Sequence, residues 1–442
     1  MALTPSNTLV QVQLYNKAGL AFLINSTCVI KNCNNKYKNF AGDRMNLGDS
    51  TLIELPPRMS VSAGLVWTTQ PAVQRFQTLV CDQSFNSAFD VSSENLIFNL
   101  AKGTDEYMER FGMSQVINLA SQTEARVALN FISAMPVFSA GAGLPVGLYT
   151  TSGPYRFFGN GVTPISSFQQ LDYALEQYAN FGAVGTALKG ILPNTAYPAI
   201  VGTGLNQFVS GRNEEIANSW DVGRFGTPGA EWYKSNLLPR QIAGTVGRTQ
   251  QTLTLLSTND PTGQNVTSMT FSGATINDPV AVLSGDMFSF VRAGLSTDPY
   301  FTTFSGYVPS EVPVQFRSTA NVAADGSGHV TIPVSIVYNW AGGQNLNLSN
   351  PLVANLTATG IGSHRAGCIY NEESFFLAMP RLPSYSPFVS SEHVNEEVGV
   401  SMRTAYGPLG VGSNQFKMGS DLLFGATMCQ DYGMRLCFPV AS

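Results

Sequence analysis

"LIELPPRMSVSAGLVW", Leu52 to Trp67, reads as two β-strands hinged on the paired prolines Pro56 and Pro57. An isolated two-stranded hairpin is marginal in water and needs a third strand, a helix or a partner to rest on. The neighbouring sequence offers no evident local partner. The stretch therefore predicts an arm that lies on a second copy of the same chain.

Composition fits such an arrangement. Charged residues make up 12% of the 442 positions, against about 25% in an ordinary globular chain, while hydrophobic residues hold an ordinary 44%. The missing charge is replaced by Asn, Gln, Ser, Thr and 42 glycines, a mixture suited to surfaces covered by neighbours. A formal net charge of −5 excludes a generally basic nucleic-acid binder. Basic residues concentrate at the start, where Lys17, Lys31, Lys36, Lys38 and Arg44 stand against Asp43 and Asp49. Between Lys234 and Lys417 there is no further lysine. The N-terminal stretch lacks a charged region followed by a long apolar one, and no apolar run is long enough to span a bilayer. The expected place of synthesis and use is a reducing cytoplasm, with the six scattered cysteines as free thiols.

Organisation follows from periodicity. "VQRFQTLVCDQSFNSAFDVS" (Val73 to Ser92) predicts one long strand. "YMERFGMSQVINLASQTEARVALNFISAM" (Tyr107 to Met135) carries Val116, Leu119, Ala120, Val127, Phe131 and Ile132 at helical spacing and predicts a helix of about 29 residues, roughly 43 Å. A second helix is expected from Thr163 as N-cap, through Pro164 at the first turn, to Gly182 as C-cap. "ALKGILPN" and "AEWYKSNLLP" read as strands, and "NQFVSGRNEEIANSW" as helical. From Thr245 to about Ser349 the text turns Thr/Ser/Gly-rich with alternating apolar residues, three arginines and six acids. This predicts a β-rich insertion, after which "CIYNEESFFLAMP", "EEVGVSMRTAYG" and "SDLLFGATMCQDYGMRLCFP" return as strands to the host. The fold class is α+β.

Chemistry is hard to place on this chain. There is no GxxxxGK[ST], the loop "GAGLPVG" misses GxGxxG spacing, and no GxSxG elbow occurs. His329, His364 and His393 lie in polar, turn-like contexts and read as loop residues. His364 and Cys368 lack a second ligand pair, and the adjacent carboxylates Glu214 and Glu215, Glu372 and Glu373, and Glu396 and Glu397 point apart on any regular element. No catalytic residue, metal site or cofactor is expected, and the chain reads as no enzyme.

The order of these elements resembles the major capsid proteins of tailed double-stranded DNA phages, the Hong Kong 97 fold, and most closely those of short-tailed phages with an inserted β domain. "IELPPRMSVSAGLVW" is similar to their extended loop and "LVCDQSFNSAFDVSSENL" to the strand after it. "FFLAMPRLP", "GVSMR" and "SDLLFG" resemble their returning strands. The resemblance implies an N-terminal arm (1–45), the extended loop (46–70), a peripheral domain with its spine helix (71–145), a first axial part (146–244), the inserted β-rich domain (245–349) and an axial and peripheral return (350–442).

It also implies a structural subunit that self-assembles through hexamers and pentamers into an icosahedral shell around packaged viral DNA, located in the virion and assembled in a host cytoplasm. Expected partners are further copies, a separate scaffolding protein, a portal, and double-stranded DNA without sequence specificity; no membrane is expected. Leu52, Leu55, Arg58, Val61, Leu65 and Trp67 are the expected intersubunit contacts. Lys17, Lys31, Lys36 and Lys38 are expected to face the interior or a scaffold. No lysine occurs from Asn39 to Ala101, so the loop lacks an amine for covalent crosslinking. The alternative reading is a β-rich surface or carbohydrate-binding protein.

Overall fold

The computed structural model describes residues 5–34, 48–55, 64–65, 69, 74–92, 104–132, 154–180, 188–201, 224–227, 229–260, 262, 265–294, 298–303, 309–338, 347–383, 389–395, 399–408, 415–429 and 432–440. The chain divides into two compact units. The first comprises Met1–Ile53, Thr78–Val127 and Phe375–Thr427; the second comprises Glu54–Gln77, Ala128–Ser374 and Met428–Ser442.

The first unit is built on a five-stranded sheet. Its strands are β3 (Gln83–Ser92), β18 (Phe375–Ala378), β19 (Val389–Asn395), β20 (Val400–Pro408) and β21 (Gln415–Met428). The order is β18-β21-β20-β19, with β3 antiparallel to β21 from Gln83↔Phe424 to Ser92↔Gln415. The long strand expected from Val73 to Ser92 is in fact two. β2 (Arg75–Val80) pairs with β1 (Ser50–Leu55), and the chain changes partner at Cys81 and Asp82. Cys81 is the pivot: its N–H donates to the Asp49 carbonyl at 2.9 Å, and its carbonyl accepts from Gly48 at 2.8 Å. Gly425 permits the crossing, because a Cβ there would lie 2.2 Å from the Val80 carbonyl oxygen.

Two helices from the expected N-terminal arm, α1 (Pro5–Ser26) and α2 (Val29–Asn32), belong to this unit, and α1 packs on β19 and β20. Leu20, Leu23 and Ile24 are buried there. Gly19 allows a close approach, since a Cβ would stand 2.9 Å from Met402 Cε and 3.1 Å from Val116 Cγ2. The long helix α3 runs Thr104–Ile132. All six apolar residues picked out by its spacing are buried.

Among the described residues, the second unit holds two large sheets and a separate strand pair. A seven-stranded sheet takes the order β4-β22-β17-β5-β7-β6, with β8 also on β17. These strands are β4 (Phe157–Phe158), β5 (Leu188–Pro193), β6 (Arg224–Thr227), β7 (Ala230–Ser235), β8 (Arg240–Gln241), β17 (His364–Tyr370) and β22 (Gly433–Pro439). Helix α4 (Phe168–Ala179) buries Leu171, Ala174, Leu175 and Tyr178. It starts later than the Thr163 cap predicts. Asn160 Oδ1 accepts the N–H groups of Val162 and Thr163 and holds that stretch as a turn. Ser167 then caps the helix: its Oγ accepts from Gln170 N–H while Gln170 Oε1 accepts from Ser166 N–H. Gly182 and the helix expected at 206–220 lie outside the described residues.

The β-rich segment forms a six-stranded sheet of order β14-β11-β16-β9-β10-β15. Its strands are β9 (Thr252–Thr258), β10 (Val266–Ser272), β11 (Met287–Phe290), β14 (Gln315–Arg317), β15 (Val330–Tyr338) and β16 (Thr357–Gly360). β12 (Tyr300–Thr302) and β13 (Pro309–Pro313) make a separate pair, and α5 (Thr245–Arg248) leads into β9. β16 lies beyond 349 yet sits between β11 and β9, and Ala358 joins the core. Inside, Phe288 and Phe271 stack on Phe316 at 5.0 and 5.5 Å. The turns are shaped by aspartates, as where Asp325 Oδ1 accepts from the Ser327 and His329 amides at 2.8 Å each.

Candidate functional site

Strand β1 carries the first of the expected contact residues. Alternation buries Ile53 and leaves Leu52 56% exposed, and Phe76 on β2 is 50% exposed. Leu65 is 100% exposed. β1 takes β2 as its partner. The second strand expected after the prolines, with Arg58, Val61 and Trp67, lies outside the described residues, as does the Leu55 side chain. Lys17 on α1 and Lys31 on α2 are exposed; Lys36 and Lys38 are outside the described residues.

Behind the basic residues, polar side chains fix the N-terminal helices. Asn16, fully buried, donates from Nδ2 to the Met402 carbonyl at 3.0 Å and accepts from Thr404 Oγ1 at 3.3 Å. Glu124 of α3 accepts the backbone N–H groups of Cys28, Val29 and Ile30 at 2.9, 2.6 and 3.1 Å. Its carboxylate thus satisfies donors that the short helix α2 cannot pair internally. Burial raises the Glu124 pKa, and the three amides oppose that rise. Burial and then the Glu124 charge push the Cys28 thiol up to about 12, far from a reactive thiolate.

Two of the motifs that carry the resemblance meet in space. Arg403 of "GVSMR" stands opposite Asp421 of "SDLLFG" in the β20–β21 ladder. Its Nε donates to Asp421 Oδ1 at 2.9 Å, a second guanidinium nitrogen donates to Oδ2, and a third reaches the Pro383 carbonyl. This bidentate pair locks the register of the strands.

The second unit contains the charge that the sequence hid best. Arg435 on β22 is fully buried and donates from Nε and Nη2 to the Ile132 carbonyl at 2.9 and 2.5 Å, capping the end of α3. His364, read as a loop residue, is instead in β17 and buried. At His364 the strand is flanked by Pro439 of β22 on one side and Gln241 of β8 on the other, and the residue is buried. Near the six-stranded sheet, Asp286 Oδ2 accepts the amides of Gly244 and Leu283 at 2.8 Å each. Burial pushes its pKa up to about 6. Among the described residues no cluster of metal-ligating side chains occurs, and no helix is long and apolar enough to cross a membrane.

No family model and no curated protein matches the chain. Solved structures do match. The capsid of the cyanophage P-SCSP1u is similar over 91% of this chain and 86% of its own, at 11% identity and a TM-score of 0.39. The mature capsid of bacteriophage PhiM1 is similar over 94% and 88%, at 8% identity and 0.39. The capsid of Ralstonia phage GP4 is similar over 91% and 87%, at 8% identity and 0.41. All three are phage capsids.

Proposed function

We propose that the chain is a structural, non-enzymatic subunit that self-assembles into the icosahedral shell enclosing packaged viral DNA. The observation that carries the reading is the exposure of Leu65, Leu52 and Phe76 around the predicted loop, in a chain with only 12% charge. Large side chains left in water are each worth about 1.5–3 kcal/mol when covered, and a neighbouring copy supplies the cover. The segment 245–349, with β16 added, serves as a β-rich insertion on the host fold. Exposed Lys17 and Lys31 suit an acidic partner such as a scaffolding protein; a portal and double-stranded DNA complete the expected set.

Sedimentation of the purified chain tests the reading. Wild type should form megadalton shells, and a chain lacking Thr51 to Thr68 should remain a folded, soluble monomer. Shells of normal size from the shortened chain would overturn the role of the loop, and a wild type that stays monomeric under all assembly conditions would overturn the function.

A further inference from the structure

We propose that His364 is an acid-operated latch on the C-terminal end of α3, acting through Arg435. The inference is independent of the proposed function. His364 Nδ1 lies 2.8 Å from the Gly362 carbonyl oxygen. A carbonyl can only accept, so Nδ1 carries the hydrogen and Nε2 keeps its lone pair. Nε2 faces Arg435 Nη1 at 3.4 Å, and a guanidinium has only donors to offer. Neutral His364 is therefore the acceptor for one arm of Arg435, whose Nε and Nη2 hold the Ile132 carbonyl.

A proton arriving at Nε2 reverses this arrangement. Both facing atoms become donors with nothing between them to accept, and two cations meet where both residues are at most 1% exposed. The guanidinium must draw back from the imidazolium, and in doing so it gives up the Ile132 carbonyl and frees the last turn of α3.

The surroundings give the proton no compensation. Arg317 on β14 adds like charge to Arg435, and Arg156, whose carbonyl accepts the Arg435 amide at 2.9 Å, is a further buried cation. The thiols of Cys368 on β17 and Cys437 on β22 are pushed up by burial and stay neutral, as does the Tyr338 hydroxyl on β15. Among the described residues no carboxylate acts on His364 or Arg435. Burial, then Arg435, hold the His364 pKa down to about 3.

An unfolded histidine titrates near 6.5, so the unfolded chain binds the extra proton first. Stability from this group is complete above about pH 6.5 and falls as pH drops toward 3. Its unfolding constant rises about tenfold per pH unit in that window.

Denaturant titrations of the full chain and of His364→Gln, from pH 7 to pH 3.5, test the latch. Glutamine keeps an acceptor for Arg435 and never charges. The ratio of unfolding constants, wild type over variant, should grow about 100-fold between pH 6 and pH 4. A ratio constant within threefold overturns the proposal. Amide exchange, corrected for intrinsic rates, should accelerate in wild type at Asn130 to Ile132 before it does at Leu119 to Thr123, and uniform loss along α3 overturns the latch. If the variant does not fold, the wild-type ring is titrated by NMR: a midpoint below about pH 4 supports the proposal, and one near 6 or higher overturns it.

Discussion

Within the second unit, the six-stranded sheet centres on stacked aromatic rings with one buried guanidinium, Arg317, at its β14 edge, whereas the seven-stranded sheet buries a cluster of cationic side chains beside its apolar ones. The first closes over Phe271, Phe288, Phe290 and Phe316, apolar rings in contact with one another. The second buries Arg435 and His364, held by the Ile132 and Gly362 carbonyls and by each other, and Arg156, whose guanidinium lies over the Tyr155 and Tyr178 rings. An apolar core draws its stability from area removed from water and does not respond to protons. A core of buried cations depends on every donor finding an acceptor, so it is specific in geometry and sensitive to pH.

The contrast can be broken most severely at Phe316, which touches three other rings. Phe316→Ala should cost about 3–5 kcal/mol, equally at pH 5 and pH 8, in denaturant titrations; a pH-dependent loss would blur the distinction. Asp286 comes next. Burial raises its pKa from 3.8 to about 6, so the folded chain binds a proton more tightly than the unfolded one. Stability from this group is full below about pH 4 and is lost as pH rises through about 6, a step of up to about 3 kcal/mol. Asp286→Asn keeps an acceptor for the Gly244 and Leu283 amides and should abolish the step in a pH series of unfolding free energies.

Arg435→Met should be milder, about 1–3 kcal/mol, because the orphaned Ile132 carbonyl is partly offset by relief from burying a cation. Thermal melts at neutral pH measure it. A loss as large as that of Phe316→Ala would mean that the buried guanidinium contributes as strongly as the aromatic stack. Ser167→Ala, which removes a helix cap outside both cores, should cost about 1 kcal/mol and sets the scale for a local change.

Legibility from sequence divides along the same line. Val116 through Ile132 could be placed because a 3.6-residue period leaves few alternatives, and "QTLTLLSTND" and "SMTFSGATI" fell on β9 and β10 because alternation marks a half-buried strand. Buried polar residues left less trace, and His364 was read as a loop residue. Glu124 did leave a signal, for it stands four residues after Ala120 and three before Val127 on the apolar stripe of α3. Arg435 sits inside the nearly unbroken apolar run "MRLCF". The break at Cys81 was invisible, since the switch from β1 to β21 depends on where Gly425 lies in space. Of the expected contact residues, Leu52 and Leu65 are exposed, whereas the hinge between them falls outside the described residues.

The ladder that joins β3 to β21 has a temporal side. Asn16 and Thr404 are 388 positions apart, and Ile132 and Arg435 are 303 apart. At about 5–20 residues per second, a ribosome needs roughly 15 to 60 s after delivering Ile132 before Arg435 exists to cap it. Over that interval α1, β3 and the end of α3 wait without their final partners. Folding of such a chain is slow by its topology, and the nascent chain carries unpaired strand edges until synthesis catches up.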